Sequence, residues 1–137
     1  MAAIRKTSKT ESVSSLSRAY EFTKRASRLG FDWPEIEGIL KKMDEEVGEL
    51  REALSLQDRT KIREEIGDLL FVIVNIARFL RINPEKALEK TIEKFNSRFQ
   101  YIETSLHQEG KSVRDSNLIE MDRLWEESKR KKTLGGS

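Results

Sequence analysis

The chain contains no cysteine and a single histidine among its 137 residues. The absence of cysteine excludes a disulfide framework, a thiolate zinc site and a cysteine nucleophile. Because His107 is alone, metal sites built on several histidines are excluded too, and its place late in a polar stretch is typical of a solvated side chain. No glycine-rich phosphate-binding loop of either common type occurs. These absences direct attention away from thiolates, imidazoles and phosphate loops.

The chain also lacks a long hydrophobic run. Its longest apolar stretch, residues 69–74, resumes after Asn75 and ends at Leu80. This is too short and too interrupted to cross a bilayer core of roughly 30 Å, and no signal peptide pattern is present. We therefore expect a cytoplasmic, soluble protein with no membrane partner. The length predicts one domain over residues 15–131, with a disordered segment at 1–14 and a flexible tail at 132–137.

Only two prolines are present, and apolar residues do not alternate as they do in strands. Apolar positions recur instead at helical spacing, which predicts an all-α bundle of four to five helices. In the third predicted helix the core stripe is Ile62, Ile66, Leu69 and Ile73, and in the fourth it includes Leu88, Ile92, Phe95, Phe99 and Ile102. The predicted helices cover residues 15–29, 34–54, 60–81, 84–106 and 117–131.

Two short acidic signatures lie symmetrically about a predicted turn near Gln57. Each pair, Glu46 with Glu49 and Glu65 with Asp68, is spaced i, i+3 and so shares one helix face. A hairpin would set Glu49 opposite Glu65 and Glu46 opposite Asp68. Four converging carboxylates repel one another unless a hard cation lies among them, which predicts a metal site. One such pair alone is more often a solvated face; two pairs related by a hairpin favour the site.

Charge is distributed unevenly along the chain. Residues 35–68 carry eleven acidic and six basic groups, whereas both flanking segments are net positive. An acidic centre between basic flanks fits a metal site beside groups that hold an anionic ligand. Charge scatter over solvated helix faces explains the same pattern equally well.

The third helix is apolar on nearly every side after Asp68. Such a helix must be covered all round, and we expect a homodimer to supply the cover, through some of Leu70, Phe71, Val74, Ala77 and Arg78. Asn75 interrupts the run. It is interpreted either as a buried hydrogen-bonding residue or as a group that faces a ligand.

The chain resembles the MazG-type nucleoside triphosphate pyrophosphohydrolases, most closely the C-terminal catalytic domain of the longer two-domain members. The matching blocks follow one another in order and cover residues 15–131. They are Arg28-Leu29-Gly30-Phe31-Asp32-Trp33, Glu45-Glu46-Val47-Gly48-Glu49-Leu50, Glu64-Glu65-Ile66-Gly67-Asp68-Leu69-Leu70-Phe71, Val74-Asn75-Ile76-Ala77-Arg78, Lys94-Phe95-x-x-Arg98-Phe99 and Met121-Asp122-x-x-Trp125-x-x-x-Lys129.

The resemblance implies an all-α dimer, or a dimer of dimers, that hydrolyses nucleoside triphosphates between the α- and β-phosphates in nucleotide-pool house-cleaning. It also implies Mg²⁺, with Mn²⁺ as a substitute. The implied metal ligands are Glu46, Glu49, Glu65 and Asp68, and one of them or Glu45 assists the attacking water.

The resemblance further implies that Lys94 and Arg98 bind phosphate and that Trp125 and Lys129 contact the nucleotide. From the residues alone, Lys94 and Arg98 are better interpreted as a pair of solvated cations, and a role for Trp125 as the anchor of the last helix explains its position almost as well as a nucleotide contact. Two other functions remain as alternatives: a regulatory member that binds nucleotide without turnover, and a helical nucleic-acid-binding dimer. The second is disfavoured because the basic stretches lack interleaved aromatic residues.

Overall fold

The structure, a computed structural model, describes residues 13–134 and the side chains of residues 13–131. This part of the chain folds into five α-helices and one 3₁₀ turn at Val113–Asp115, with no β-strand among the residues described. The predicted all-α class is therefore confirmed. Most of the segment predicted to be disordered, residues 1–12, and the tail residues 135–137 lie outside the described residues. The helices are α1 (Ser15–Arg28), α2 (Ile36–Ser55), α3 (Arg59–Phe79), α4 (Pro84–Gln108) and α5 (Leu118–Leu134).

The helices begin where short polar side chains can accept hydrogen bonds from free backbone N–H groups. The Ser14 hydroxyl accepts from the Ser17 N–H at 3.1 Å and starts α1. Asp58 accepts from the Lys61 N–H at 3.1 Å and starts α3. Asn83 accepts from the Glu85 and Lys86 N–H groups at the start of α4.

Several helix boundaries differ from the prediction by one to three residues. The second helix begins at Ile36 rather than Pro34, because Glu35 has an extended backbone (φ −142°, ψ 152°) and occupies the N-cap position. The last helix continues to Leu134, past the predicted end at Lys131.

The chain divides into two compact units, residues 1–87 and residues 88–137. In the first unit, α3 packs against both α2 and α1. The turn between α2 and α3 is centred on Gln57, which adopts a positive φ of 55°. The buried hydrophobic side chains of this unit are Ile39, Ala53, Val72 and Val74.

The face of α3 that is buried differs from the predicted stripe. Ile66 and Ile73 are 46% and 47% exposed, whereas Glu65, Val72 and Asn75 are buried. The prediction was wrong here because a helix that is apolar on most sides has no periodicity that identifies its inner face. No helix in the described part of the chain is long and apolar enough to span a membrane.

The second unit has a small hydrophobic core of its own, formed by Ile102, Leu106 and Leu124. Phe99, Met121 and Trp125 pack against it. The earlier part of the predicted α4 stripe is not buried: Leu88, Ile92 and Phe95 are all exposed. The predicted stripe is therefore a core face only toward the end of α4.

Candidate functional site

Three of the four predicted acids converge in the first unit. One carboxylate oxygen from each of Glu46, Glu49 and Glu65 lies within 4.8 Å of the other two. Glu46 and Glu65 are buried and Glu49 is exposed. The arrangement follows from the helical hairpin, because α2 supplies two acids from one face and α3 supplies the third. We call these three residues the carboxylate cluster.

The electrostatics of the cluster are unfavourable without a cation. Burial, followed by the neighbouring Glu46 and Glu49 carboxylates, raises the pKa of Glu65 to about 7. Oε2 of Glu46 and Oε2 of Glu65 are buried, and neither has a hydrogen-bond partner within the part of the chain that the structure describes. Buried carboxylate oxygens are normally paired or bound to a metal. The cluster therefore has the donor set and the unpaired oxygens that fit a hard divalent cation.

Lys42 is a site residue that the sequence analysis did not select. Its Nζ lies 3.2 Å from Oε1 of Glu46, one turn earlier on α2. The hydrogen bond and charge of Glu46 raise the pKa of Lys42. The i, i+4 spacing from Lys42 to Glu46 is a signal in the sequence, but the same spacing is common on solvated helix surfaces.

Asp68 and Glu45 lie outside the carboxylate cluster. Asp68 is exposed, one turn after Glu65 on α3. Glu45 is also exposed and directly precedes Glu46. Both residues therefore stand beside the cluster in the sequence, with their side chains in solvent.

The first unit also contains a cavity of about 490 Å³. Its walls come from α1, the link between α1 and α2, and α3. Asn75, predicted either to be buried and hydrogen-bonded or to face a ligand, lines this cavity and accepts hydrogen bonds from Arg78. The lining residues are Phe22, Thr23, Ala26, Phe31, Asp32, Trp33, Pro34, Phe71 and Asn75.

The predicted phosphate-binding cations lie in the second unit. The Arg98 guanidinium carbon lies 5.4 Å from the centroid of the Trp125 ring, a cation–π contact, and its buried Nε has no hydrogen-bond partner. Trp125 also contacts Phe95, with ring centroids 5.5 Å apart, and packs against the core of the unit. Lys129 pairs with Glu126 at 3.2 Å, and Lys94 is exposed. Trp125 therefore packs as an anchor of the last helix would, and its contact with the nucleotide stays a prediction.

Comparison with known proteins matches this chain to the MazG nucleotide pyrophosphohydrolases. Residues 35–102 match the model of the MazG nucleotide pyrophosphohydrolase domain. A Thermotoga maritima protein named nucleoside triphosphate pyrophosphohydrolase/pyrophosphatase MazG is 41% identical over 85% of this chain and 45% of its own length. An Escherichia coli nucleoside triphosphate pyrophosphohydrolase is 37% identical over 87% of this chain and 46% of its own length.

A third relative, the uncharacterized Bacillus subtilis protein YabN, is 48% identical over half of this chain and 14% of its own length. The chain spans about half the length of the two named pyrophosphohydrolases. The matched region, residues 35–102, contains the whole carboxylate cluster and most of α4. The chain thus carries a MazG nucleotide pyrophosphohydrolase domain and is a member of that family.

Proposed function

We propose that this protein hydrolyses nucleoside triphosphates to nucleoside monophosphate and pyrophosphate. The observation that carries the proposal is the carboxylate cluster, with its two buried, unpartnered oxygens on Glu46 and Glu65. The names of the Thermotoga and E. coli relatives support the same reaction. House-cleaning of the nucleotide pool is the role we assign to it, and this substrate pool implies a cytoplasmic location.

Glu46, Glu49 and Glu65 would hold Mg²⁺, or Mn²⁺ in its place, and we add Asp68 as a fourth ligand. Its exposed side chain follows Glu65 by one turn on α3. A divalent ion at this position supplies positive charge that neutralises phosphate oxygens and lowers the pKa of water. Mg²⁺ prefers carboxylate and phosphate oxygens together, which suits acids that are open to solvent on the Glu49 side.

The protein's own side chains have two further tasks in this proposal. An acid near the cluster accepts the proton of the attacking water, and Glu45 remains a proposed acceptor beside the four ligands. Lys94, Arg98 and Lys129 bind the phosphates, and Trp125 contacts the nucleoside. Support for Arg98 comes from its buried Nε, a donor with no partner among the described residues.

The bond that breaks separates this reaction from that of an ordinary phosphatase. When the protein turns over a nucleoside triphosphate in ¹⁸O-labelled water with Mg²⁺, we expect the label in the monophosphate and none in the pyrophosphate. Mass spectrometry of both products measures this. Label in the pyrophosphate would place the attack at the β-phosphorus, and release of orthophosphate would mean a γ-phosphatase. Binding of nucleotide with no products at all would favour the regulatory alternative.

A further inference from the structure

The cavity in the first unit has walls suited to a planar ring. Four of its lining side chains are aromatic: Phe22, Phe31, Trp33 and Phe71. Aromatic side chains offer flat faces on which a heterocycle can stack. Three polar side chains, Thr23, Asp32 and Asn75, interrupt this lining, and the Thr23 hydroxyl already donates to backbone carbonyls of its own helix. In an otherwise apolar cavity, the few polar groups decide which ligand is accepted and how it is oriented.

The side-chain amide of Asn75 is held in one orientation. Its Oδ1 accepts hydrogen bonds from Arg78 Nη2 at 3.0 Å and Arg78 Nε at 3.3 Å. A guanidinium can only donate, so the atom that faces it must be the amide oxygen. The amide NH₂ of Asn75 makes no hydrogen bond to another described residue. The group that Asn75 presents to the cavity is therefore its NH₂ donor, because its acceptor Oδ1 is occupied by Arg78.

Arg78 is itself fixed by Asp32. Its Nη1 and Nη2 donate to the two carboxylate oxygens of Asp32 at 2.8 and 2.7 Å, a bidentate pair. Asp32 also accepts from the Ser27 hydroxyl at 2.7 Å and from the Trp33 N–H at 2.8 Å. These four hydrogen bonds occupy the Asp32 carboxylate. The only polar group left for a ligand by this network is the Asn75 NH₂.

We propose that Asp32 and Arg78 are positioning residues that orient the Asn75 amide, so that the cavity donates one hydrogen bond to an acceptor atom on the nucleobase of the substrate. The inference rests on the proposed function, because the occupant is the base of the triphosphate. Asn75 would then determine substrate specificity, because the cavity takes a planar heterocycle that carries a carbonyl oxygen or an unprotonated ring nitrogen. A site built around a buried hydrogen-bonding group discriminates strongly against ligands that leave the group unpaired.

The kinetic test compares each natural triphosphate with abasic deoxyribose 5′-triphosphate, which has the phosphates but no ring. We expect Asp32→Asn and Asn75→Asp each to lower the ratio of kcat/KM for the best nucleotide to kcat/KM for the abasic compound by about 10-fold or more. Matched controls make the same chemical changes elsewhere: Glu120→Gln at the Lys111 ion pair, and Asn83→Asp at the start of α4. The controls should keep the wild-type ratio. An equal loss on both substrates would mean a structural role and overturn the inference.

A binding measurement keeps the inference testable without turnover. Uncharged nucleosides, added to ¹⁵N-labelled wild-type protein without metal, should shift the side-chain amide signals of Asn75, which are identified by their absence in Asn75→Asp. Asp32→Asn should weaken the binding of the nucleoside with the strongest effect by about 10-fold, and Glu120→Gln should not. If no nucleoside shifts the Asn75 signals, the inference is overturned. If nucleosides shift them but no triphosphate is hydrolysed, the inference stands and the proposed function fails.

Discussion

At the scale of single residues, the carboxylate cluster combines acids in two environments. Glu46 and Glu65 are buried, whereas Glu49 reaches solvent. Burial strengthens the repulsion between the carboxylate charges, because the solvent that would screen them is excluded. The exposed side of the cluster is then the side from which a cation and a phosphate can approach.

This arrangement predicts the effect of removing one acid. Replacing Glu49 or Asp68 with Ala should lower turnover by roughly 10³-fold, the order of loss seen when one charge-stabilising group is removed from an active site. The same Glu49 substitution relieves repulsion, so the metal-free variant should be at least as stable as the parent. Steady-state assays in Mg²⁺ and thermal melts in chelator measure the two effects. Glu52→Ala, on the exposed surface of α2, is the control. Near-normal activity of either variant would show that the assigned ligands are wrong.

The raised pKa of Glu65 predicts how stability depends on pH. Its pKa is about 7 in the folded protein, against an ordinary value of 4.5, so the folded state binds a proton more tightly than the unfolded state. The contribution of Glu65 to the free energy of unfolding is therefore largest below about pH 4.5. It is lost as the pH rises through 7. Urea unfolding of metal-free protein at a series of pH values measures this, and Glu65→Gln should flatten the dependence. If the stability of the metal-free parent rose relative to that of Glu65→Gln between pH 5 and 7, the prediction would be wrong.

At the scale of elements, the helical hairpin was predictable and the inner face of α3 was not. The two acidic signatures and the turn near Gln57 are local patterns, and the hairpin they predict brings Glu46, Glu49 and Glu65 together. The buried side of α3 depends instead on contacts with α1, which lies far away in the sequence. The ion pair between Asp32 and Arg78 escaped prediction for the same reason, since 46 residues separate its partners.

The Trp33 ring packs against Gly38 of α2. A Cβ added at Gly38 would lie 2.8 Å from Trp33 Cδ1, whereas one added at Gly48 meets nothing within 4 Å. Both glycines lie in α2, where Ala normally adds about 0.5–1 kcal/mol of stability. The ring therefore packs directly over Gly38, and any side chain there must displace it into a different position beside the cavity.

These two glycines make a matched pair of variants. Gly48→Ala should raise the free energy of unfolding by about 0.5–1 kcal/mol, while Gly38→Ala should lose this gain because the ring must move. Urea unfolding with circular dichroism measures both, and nucleoside binding should weaken only in Gly38→Ala. Equal stabilisation by the two variants would show that Trp33 does not rest on Gly38. A destabilised Gly48→Ala would indicate that a second copy of the chain covers that position.

At the scale of the whole molecule, the single chain leaves a row of apolar side chains on α3 in solvent. Ile66, Leu70 and Ile73 of α3, with Leu80 directly after its end, are each about half exposed, and their successive spacings of four, three and seven residues are those of a helix-pairing seam. Two of the residues expected at an interface, Val74 and Arg78, are instead buried within the chain. The proposed dimer contact therefore rests on the residues of the expected set that stay exposed, Leu70 and Phe71, together with this row.

We predict a homodimer, or a dimer of dimers, held together through this face of α3. Stable obligate interfaces often bury ~2,000 Å² or more and resemble a hydrophobic core, which is the chemistry this row of side chains offers. Light scattering should give two or four times the chain mass of 15.9 kDa. Leu70→Lys should dissociate the assembly because it buries an unpaired charge, whereas Thr60→Lys, an equal change in charge on the exposed start of α3, should not.

The mass of one chain for the parent protein, with activity retained at high dilution, would defeat the prediction. An assembly that survives Leu70→Lys would move the interface to the other exposed apolar row, Leu88, Ile92 and Phe95 of α4, where the equivalent test is Ile92→Lys.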